Sequence, residues 1–117
     1  MIKHIVMWQL HNPADATRFK ELLDSCQTVV PGILEWEVGI RHPRLEANMD
    51  VVLVSTFADK AALDAYQAHP QHVAVKDELA KMRSQRTILD YPTHALAEAD
   101  LDLARDLSFA PTAHGDL

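Results

Sequence analysis

Residues 2–10 have the sequence IKHIVMWQL, which places alternate side chains on two faces of an extended strand. The even positions form the more apolar face: Ile2, His4, Val6, Trp8 and Leu10. The odd positions are also largely apolar, through Ile5 and Met7. Because neither face of the strand is predominantly polar, this strand is predicted to lie inside a sheet that is covered on both sides.

The segment after this strand predicts a helix that begins near Asn12 and Pro13. Asn12 is a favourable N-cap, and proline is well tolerated at the first helical position. An apolar stripe at spacings of three and four continues the pattern: Phe19, Leu22, Leu23, Cys26 and Val30. The helix is predicted to end at Pro31-Gly32.

The rest of the sequence predicts two strands, a divided helix and a last strand. The strands cover residues 33–41 and 50–57, joined by a polar hairpin connector at 42–48. The helix begins at Asp59 and is interrupted at His69-Pro70, because proline removes an amide and keeps the preceding residue out of helical geometry. Its second part runs to about Met82, and the final strand covers residues 86–91.

The resulting order, β-α-β-β-α-β, is that of an α+β ferredoxin-like sandwich with an antiparallel sheet and both helices on one face. The first strand is apolar on both sides, so helices on one face would leave apolar side chains exposed on the other. Exposed apolar surfaces of this size are interaction sites. The sequence therefore predicts a homodimer formed through the sheet faces.

The composition limits the size, the partners and the location that can be expected of the protein. The chain has 117 residues, 48% hydrophobic, with a net charge of −6. This is the size of one domain, and the negative charge argues against nucleic acid or an anionic membrane as partner. No segment has the ~20 apolar residues of a membrane span, and the single Cys26 cannot form an internal disulfide. A cytoplasmic location is therefore expected.

The charge is unevenly distributed along the chain. Residues 1–94 carry ten basic and twelve acidic side chains, a balance of −2, whereas residues 95–117 carry Arg105 against five acids, a balance of −4. We therefore expect a folded domain at residues 1–93 and an acidic, partly helical extension at 94–117.

Histidines are the main candidates for chemistry, since the sequence has no phosphate-binding loop, Cys-x-x-Cys pair or nucleophile elbow. His4, His69 and His72 stand out among the seven histidines, the others being in predicted loops or the extension. A histidine with apolar neighbours is more often a hydrogen-bonded core residue than a catalyst, and Tyr66 can place its hydroxyl in water. Too few ligands converge for a metal site.

Five segments of the sequence resemble the stress-responsive A/B barrel (Dabb) family. The most specific is the run Ala65-Tyr66-x-x-His69-Pro70-x-His72-Val73. The others are residues 2–8 (IKHIVMW), 30–33 (VPGI), 52–57 (VLVSTF) and 90–91 (DY). The resemblance implies a ferredoxin-like chain that pairs through its sheets into a dimeric α/β barrel.

The resemblance also implies candidate site residues. A plant member of the family is a polyketide cyclase that performs an aldol condensation without a cofactor, and its general base falls at His72 here, with Tyr66 and His4 nearby. A pocket histidine of that enzyme falls at Val51 and a pocket tyrosine at Leu23, which predicts a more apolar cavity. Trp8 and His69 are further candidates for the pocket lining.

Three functions stay open from the sequence. The first is binding of a small apolar or aromatic molecule in a cavity of the barrel. The second is a cofactor-free cyclase or isomerase with His72 as base and Tyr66 as donor. The third is a structural or stress-protective oligomer in which the histidines only pack.

Overall fold

The strand at residues 2–10 lies inside a four-stranded antiparallel sheet in the computed structural model, which describes residues 1–93. This strand, β1 (Ile2–Leu10), has neighbours on both sides. The remaining strands are β2 (Ile33–Ile40), β3 (Val51–Phe57) and β4 (Arg83–Pro92), in the spatial order β2-β3-β1-β4. The predicted antiparallel ferredoxin-like topology is confirmed.

Three helices cover one face of the sheet: α1 (Ala16–Asp24), α2 (Lys60–Ala68) and α3 (Pro70–Met82). The even positions of β1 are all buried on this face, together with Leu53 and Phe57 of β3. Leu63 of α2 and Leu79 of α3 are also buried in this single core. The alternation of β1 thus sets which side chains reach the helices. No helix in the described part of the chain is long and apolar enough to cross a membrane.

The first helix is shorter than predicted. Asn12 caps a 3₁₀ turn, Pro13–Asp15, and α1 ends at Asp24 instead of Val30. From Cys26 onward, amides donate to carbonyls three residues back, which produces turns. The Ser25 hydroxyl also donates to a helix carbonyl, and the β-branched run at residues 28–30 disfavours helix.

The last strand is longer than predicted, since β4 begins at Arg83 and not at residue 86. Its partner β1 extends to Leu10, which pairs with Arg83 across a register shift. Tertiary pairing therefore recruits residues whose local pattern alone does not indicate a strand.

His69 forms the junction between α2 and α3, as the sequence predicts. Its backbone is extended, with ψ at 134°, so it ends one helix and begins the next. The His69 Nδ1 atom accepts a hydrogen bond from the Gln71 amide at 3.0 Å. Pro70 then occupies the first position of α3, and His72, in the first turn of this helix, is buried.

The opposite face of the sheet carries apolar side chains and no helix of the described residues. Ile5, Met7 and Leu89 lie there, and Leu89 is 61% exposed. Val54 of β3 continues this surface. The predicted apolar second face is present, and we call it the open face.

Candidate functional site

Three polar side chains meet in the core between the sheet and the helices: His4 from β1, Tyr66 from α2 and His72 from α3. The ring centroids of Tyr66 and His72 are 4.4 Å apart, and those of His4 and Tyr66 are 6.1 Å apart. Each is at most 1% exposed. The structure thus brings together the three residues that the sequence proposes for catalysis. We call them the histidine–tyrosine cluster.

Asp90 orients His4. The two residues face each other across the β1–β4 pair, and His4 Nδ1 lies 2.5 Å from Asp90 Oδ1. Because the carboxylate accepts, Nδ1 is the donor and the other ring nitrogen, Nε2, points elsewhere. A carboxylate behind an imidazole fixes both its tautomer and its orientation.

His72 is held in a defined tautomer by the preceding helix. Its Nδ1 lies 3.1 Å from the carbonyl oxygen of Gln67, which can only accept, so Nδ1 carries the proton. Burial is the main cause that lowers the pKa of His72 to about 4, while the bond to Gln67 opposes the shift. Electrostatic interaction with His4, and to a smaller extent with Lys76 and Arg86, lowers this pKa further. At neutral pH the ring is therefore uncharged, with a lone pair on Nε2.

Tyr66 lies at the centre of an aromatic group. Its ring contacts Phe57 at a centroid distance of 5.1 Å and Trp36 at 5.9 Å, besides the two histidines. Burial, with a smaller contribution from Cys26, raises the pKa of the Tyr66 phenol, which stays protonated and available as a donor. The alternative in which the Tyr66 hydroxyl lies in water is wrong, because the residue is buried.

The cluster leaves three buried polar atoms without a hydrogen-bond partner among the described residues: His4 Nε2, Tyr66 Oη and His72 Nε2. A buried polar group left unsatisfied costs about 1–3 kcal/mol, so such groups are few in native cores. Together they offer one hydroxyl donor and imidazole acceptors to a hydroxyl or carbonyl group of a small molecule. This arrangement can bind such a group or exchange a proton with it.

Trp8 and Val51 lie away from the cluster. They face each other in the β1–β3 register, four positions along β1 from His4. At about 3.3 Å per residue, this places them about 13 Å farther along the strand. Trp8 packs on Phe19 at a centroid distance of 5.0 Å.

The other two predicted lining residues have structural positions. Leu23 is fully buried in the core. The Nδ1 atom of His69 is used in the cap of α3, at the helix junction. Whether any of these residues lines an occupied pocket stays a prediction.

Asp90 and Trp36 are the residues of the site that the sequence assigns least well. Asp90 stands near the end of the last predicted strand and Trp36 within the second, and neither position alone indicates a site. The signal for Asp90 is positional: the order of elements makes β1 and β4 neighbours, and Asp90 lies as far before the end of β4 as His4 lies after the start of β1. The antiparallel register then makes them opposite.

A separate cleft of about 310 Å³ lies at the end of β2, beside the start of the first helix. Its polar lining is Arg41 and Asp50, whose side chains are 3.7 Å apart. Asp50 also accepts a hydrogen bond from the amide of Leu10 at 2.8 Å, which gives this pair a structural role. Within residues 1–93, no group of three or more His, Cys, Asp or Glu side chains is placed to hold a metal ion.

Comparisons with known proteins agree with this fold. The sequence profile described as the stress responsive A/B barrel domain matches residues 2–93. No curated protein matches the chain. Among solved structures, a dimeric ferredoxin-like protein of unknown function from Bacteroides fragilis is similar, with 27% identity, a TM-score of 0.67, and 79% of this chain and 95% of that chain covered.

Two further structures extend the comparison. A Dabb family protein from Mesorhizobium loti has 26% identity and a TM-score of 0.64, covering 79% of this chain and 95% of the other. The hydroxynitrile lyase of Passiflora edulis has 17% identity and a TM-score of 0.68, covering 82% and 95%. At that identity the lyase shows a shared fold alone.

Proposed function

The chain belongs to the stress responsive A/B barrel domain family, and on this premise we propose that it binds a small apolar or aromatic molecule that carries a hydroxyl or carbonyl group. The histidine–tyrosine cluster is the proposed binding point. The observation that supports the proposal is that three neighbouring buried rings, beside Phe57, each carry a polar atom without a hydrogen-bond partner among the described residues. A ligand oxygen would satisfy these atoms, and the aromatic walls would pack on its apolar part.

The protein acts, in this proposal, as a homodimer paired through the open face. Relatives of the same fold are described as dimeric. The cluster lies on the helix side of the sheet and the open face on the other, so one sheet can serve binding and pairing at once. The acidic extension at 94–117 lies outside the described residues.

A second candidate function is cofactor-independent proton transfer next to a carbonyl group, and the tautomer of His72 favours it. With Nδ1 donating to Gln67, the Nε2 lone pair can remove a proton from the carbon beside the carbonyl. The Tyr66 hydroxyl would donate to the enolate oxygen, and the charges of Lys76 and Arg86 would stabilise its negative charge. In an isomerase the imidazolium of His72 then returns the proton to a different carbon of a conjugated enolate; in a cyclase the enolate carbon attacks a second carbonyl, whose oxygen takes the proton back.

Native mass spectrometry of the protein purified from its source tests the binding proposal. We expect a retained small molecule in the wild type and its loss in Tyr66→Phe, which removes only the hydroxyl. Tyr91→Phe is the matched control, because Tyr91 lies on β4 and is partly exposed. Absence of any retained molecule, together with no thermal shift from a panel of phenols and aryl ketones, would favour the purely structural role.

Deuterium incorporation distinguishes proton transfer from binding alone. A bound aryl ketone with exchangeable hydrogens beside its carbonyl is incubated with the protein in D₂O. Proton transfer predicts that the wild type accelerates incorporation and that His72→Gln does not. Equal incorporation in both proteins would leave binding as the function.

A further inference from the structure

We propose that Trp36 is the side chain that admits ligands to the histidine–tyrosine cluster, and that Asp24 is the positioning residue that holds it closed. This inference rests on the proposed function for its biological use, although the access route itself can be tested without a ligand. The geometry of the site requires a route by which a ligand can enter. The three cluster residues are almost fully buried, so a molecule can reach them only if a covering side chain moves.

Trp36 is the part of the aromatic group nearest to solvent. The ring of Tyr66 has four aromatic neighbours, of which His4, Phe57 and His72 are at most 1% exposed. Trp36 is only partly buried. It also lies on β2, which among residues 1–93 is an edge strand paired with β3 alone.

A single hydrogen bond fixes the indole of Trp36 against the helix layer. Its Nε1 donates to Asp24 Oδ1 at 3.0 Å, and Asp24 is the last residue of α1. The second carboxylate oxygen, Oδ2, accepts from Lys20 Nζ at 2.9 Å. Lys20 therefore holds the carboxylate in place, and the carboxylate holds the indole edge-on to Tyr66, at an interplanar angle of 71°.

Rotation of the indole would replace one aromatic contact of Tyr66 by another. A ligand ring that enters along β2 takes the place of Trp36 against Tyr66, and its oxygen reaches the unsatisfied atoms behind. This favours flat aromatic ligands over branched aliphatic ones. The hydrogen bond from Nε1 to Asp24 has to break for this rotation, and side-chain rotations are faster than collective backbone motions.

A competing route exists on the other side of His72. Gln71 Nε2 donates to Ser25 Oγ at 3.1 Å and thereby links the first turn of α3 to the turn after α1. Breaking this contact would expose the cluster between the two helices. The experiment must therefore separate the Trp36 route from the Gln71 route.

Carbethoxylation by diethyl pyrocarbonate, mapped by peptide mass spectrometry, measures access to His72 directly. The reagent attacks neutral imidazole, the form that burial imposes on His72. We expect Asp24→Ala to raise the modification rate at His72 about tenfold, the effect of about 1.4 kcal/mol of lost closed-state stabilisation. Exposed His11 and His42 serve as internal references whose rates stay constant.

Two controls isolate the indole contact. Asp64 also pairs with a lysine four residues before it, Lys60, at 3.1 Å, but it accepts no indole bond, so Asp64→Ala should leave His72 protected. Asp24→Asn keeps an acceptor and should restore most of the protection. Trp36→Phe, which lacks the donor, should behave like Asp24→Ala.

The inference is overturned if Gln71→Ala accelerates modification of His72 and Asp24→Ala does not, or if Asp24→Ala and Asp64→Ala have equal effects. Hydrogen exchange of the β1 amides, measured in parallel, separates local opening from unfolding. If the exchange of those amides accelerates as much as the modification of His72, the variant is unfolding and the proposal is contradicted. A positive result, together with no retained ligand in native mass spectrometry and no thermal shift from the phenols and aryl ketones, would reject the proposed function and leave the access route standing.

Discussion

Burial keeps His72 uncharged at neutral pH, and this determines how acid affects the folded state. The folded pKa of about 4 lies below the ordinary value of 6.5. Between these values the unfolded chain binds a proton that the folded chain does not. His72 therefore lowers stability progressively as the pH falls from 6.5 to 4, and it has no pH-dependent effect above 6.5.

We predict that the free energy of unfolding falls by about 2–3 kcal/mol over this pH range through His72 alone. Urea denaturation at pH 7.5, 6.5, 5 and 4 measures the change. His72→Gln is the comparison, since glutamine retains a polar side chain without titrating, and it should flatten the profile by that amount. Parallel profiles of the two proteins would show that His72 does not titrate with a lowered pKa.

The sequence predicts the identity of the cluster better than its surroundings. His4, Tyr66 and His72 follow from a local motif and an alternating strand, so their positions are set by short-range geometry. The pairing of His4 with Asp90 depends on the β1–β4 register, across 86 positions of sequence, which no local pattern specifies. Trp8 and Val51 lie on the same face of the sheet as His4, but about 13 Å farther along it. The alternation of a strand predicts the face on which a side chain lies, but not whether it is close to the cluster.

At the scale of elements, the predicted boundaries are confirmed where a local sequence signal ends a helix, and they are wrong where tertiary packing sets the boundary. His69-Pro70 divides the helices where the sequence predicts, because proline is tolerated in the first turn of a helix but not in its interior. The end of α1 and the start of β4 depend on turn hydrogen bonds and on the length of β1. Close contacts between elements likewise follow from no local sequence pattern, and the clearest example is the contact of Gly32 with α2.

We predict that Gly32→Ala destabilises the protein through a clash between the turn after α1 and helix α2. A Cβ atom at residue 32 would lie 2.3 Å from the Ala62 Cβ, closer than two carbons can approach. Overpacking of this kind costs about 1–3 kcal/mol, measurable by urea denaturation. Gly32 has no positive φ, so contact and not backbone strain is the cause.

The double variant Gly32→Ala with Ala62→Gly tests this cause. Once the Ala62 Cβ is removed, the Cβ of residue 32 has the Cα of residue 62 as its nearest neighbour, at 3.6 Å, which is an ordinary van der Waals contact. The double variant should regain most of the lost stability, less up to about 1 kcal/mol for glycine near the start of α2. Additive effects of the two substitutions would rule out a direct clash.

At the scale of the whole molecule, the order of elements and the two apolar faces of β1 are enough to predict the layered fold and one uncovered surface. Helices cover the face with the cluster and leave Ile5, Met7 and Leu89 on the other. A stable pairing of two copies needs about 1,200–2,000 Å² of total buried area, which a four-stranded sheet face can supply. One face thus encloses the histidine–tyrosine cluster, and the other is the surface that we propose for pairing.

We predict that the full chain is a dimer at micromolar concentration and that Leu89→Glu makes it monomeric. The substitution puts one carboxylate from each copy into an apolar interface, where burying an unpaired charge is costly, so the dissociation constant should rise at least about a hundredfold. Val73→Glu is the matched control, because Val73 is 41% exposed but lies on α3, on the opposite side of the sheet. Sedimentation velocity measures both variants, and a monomeric wild type, or an equal loss of dimer in the two variants, would exclude pairing through the open face. If Leu89→Glu dissociates the dimer while carbethoxylation of His72 stays slow, the cluster is enclosed within a single chain, as its contacts from β1, α2 and α3 indicate.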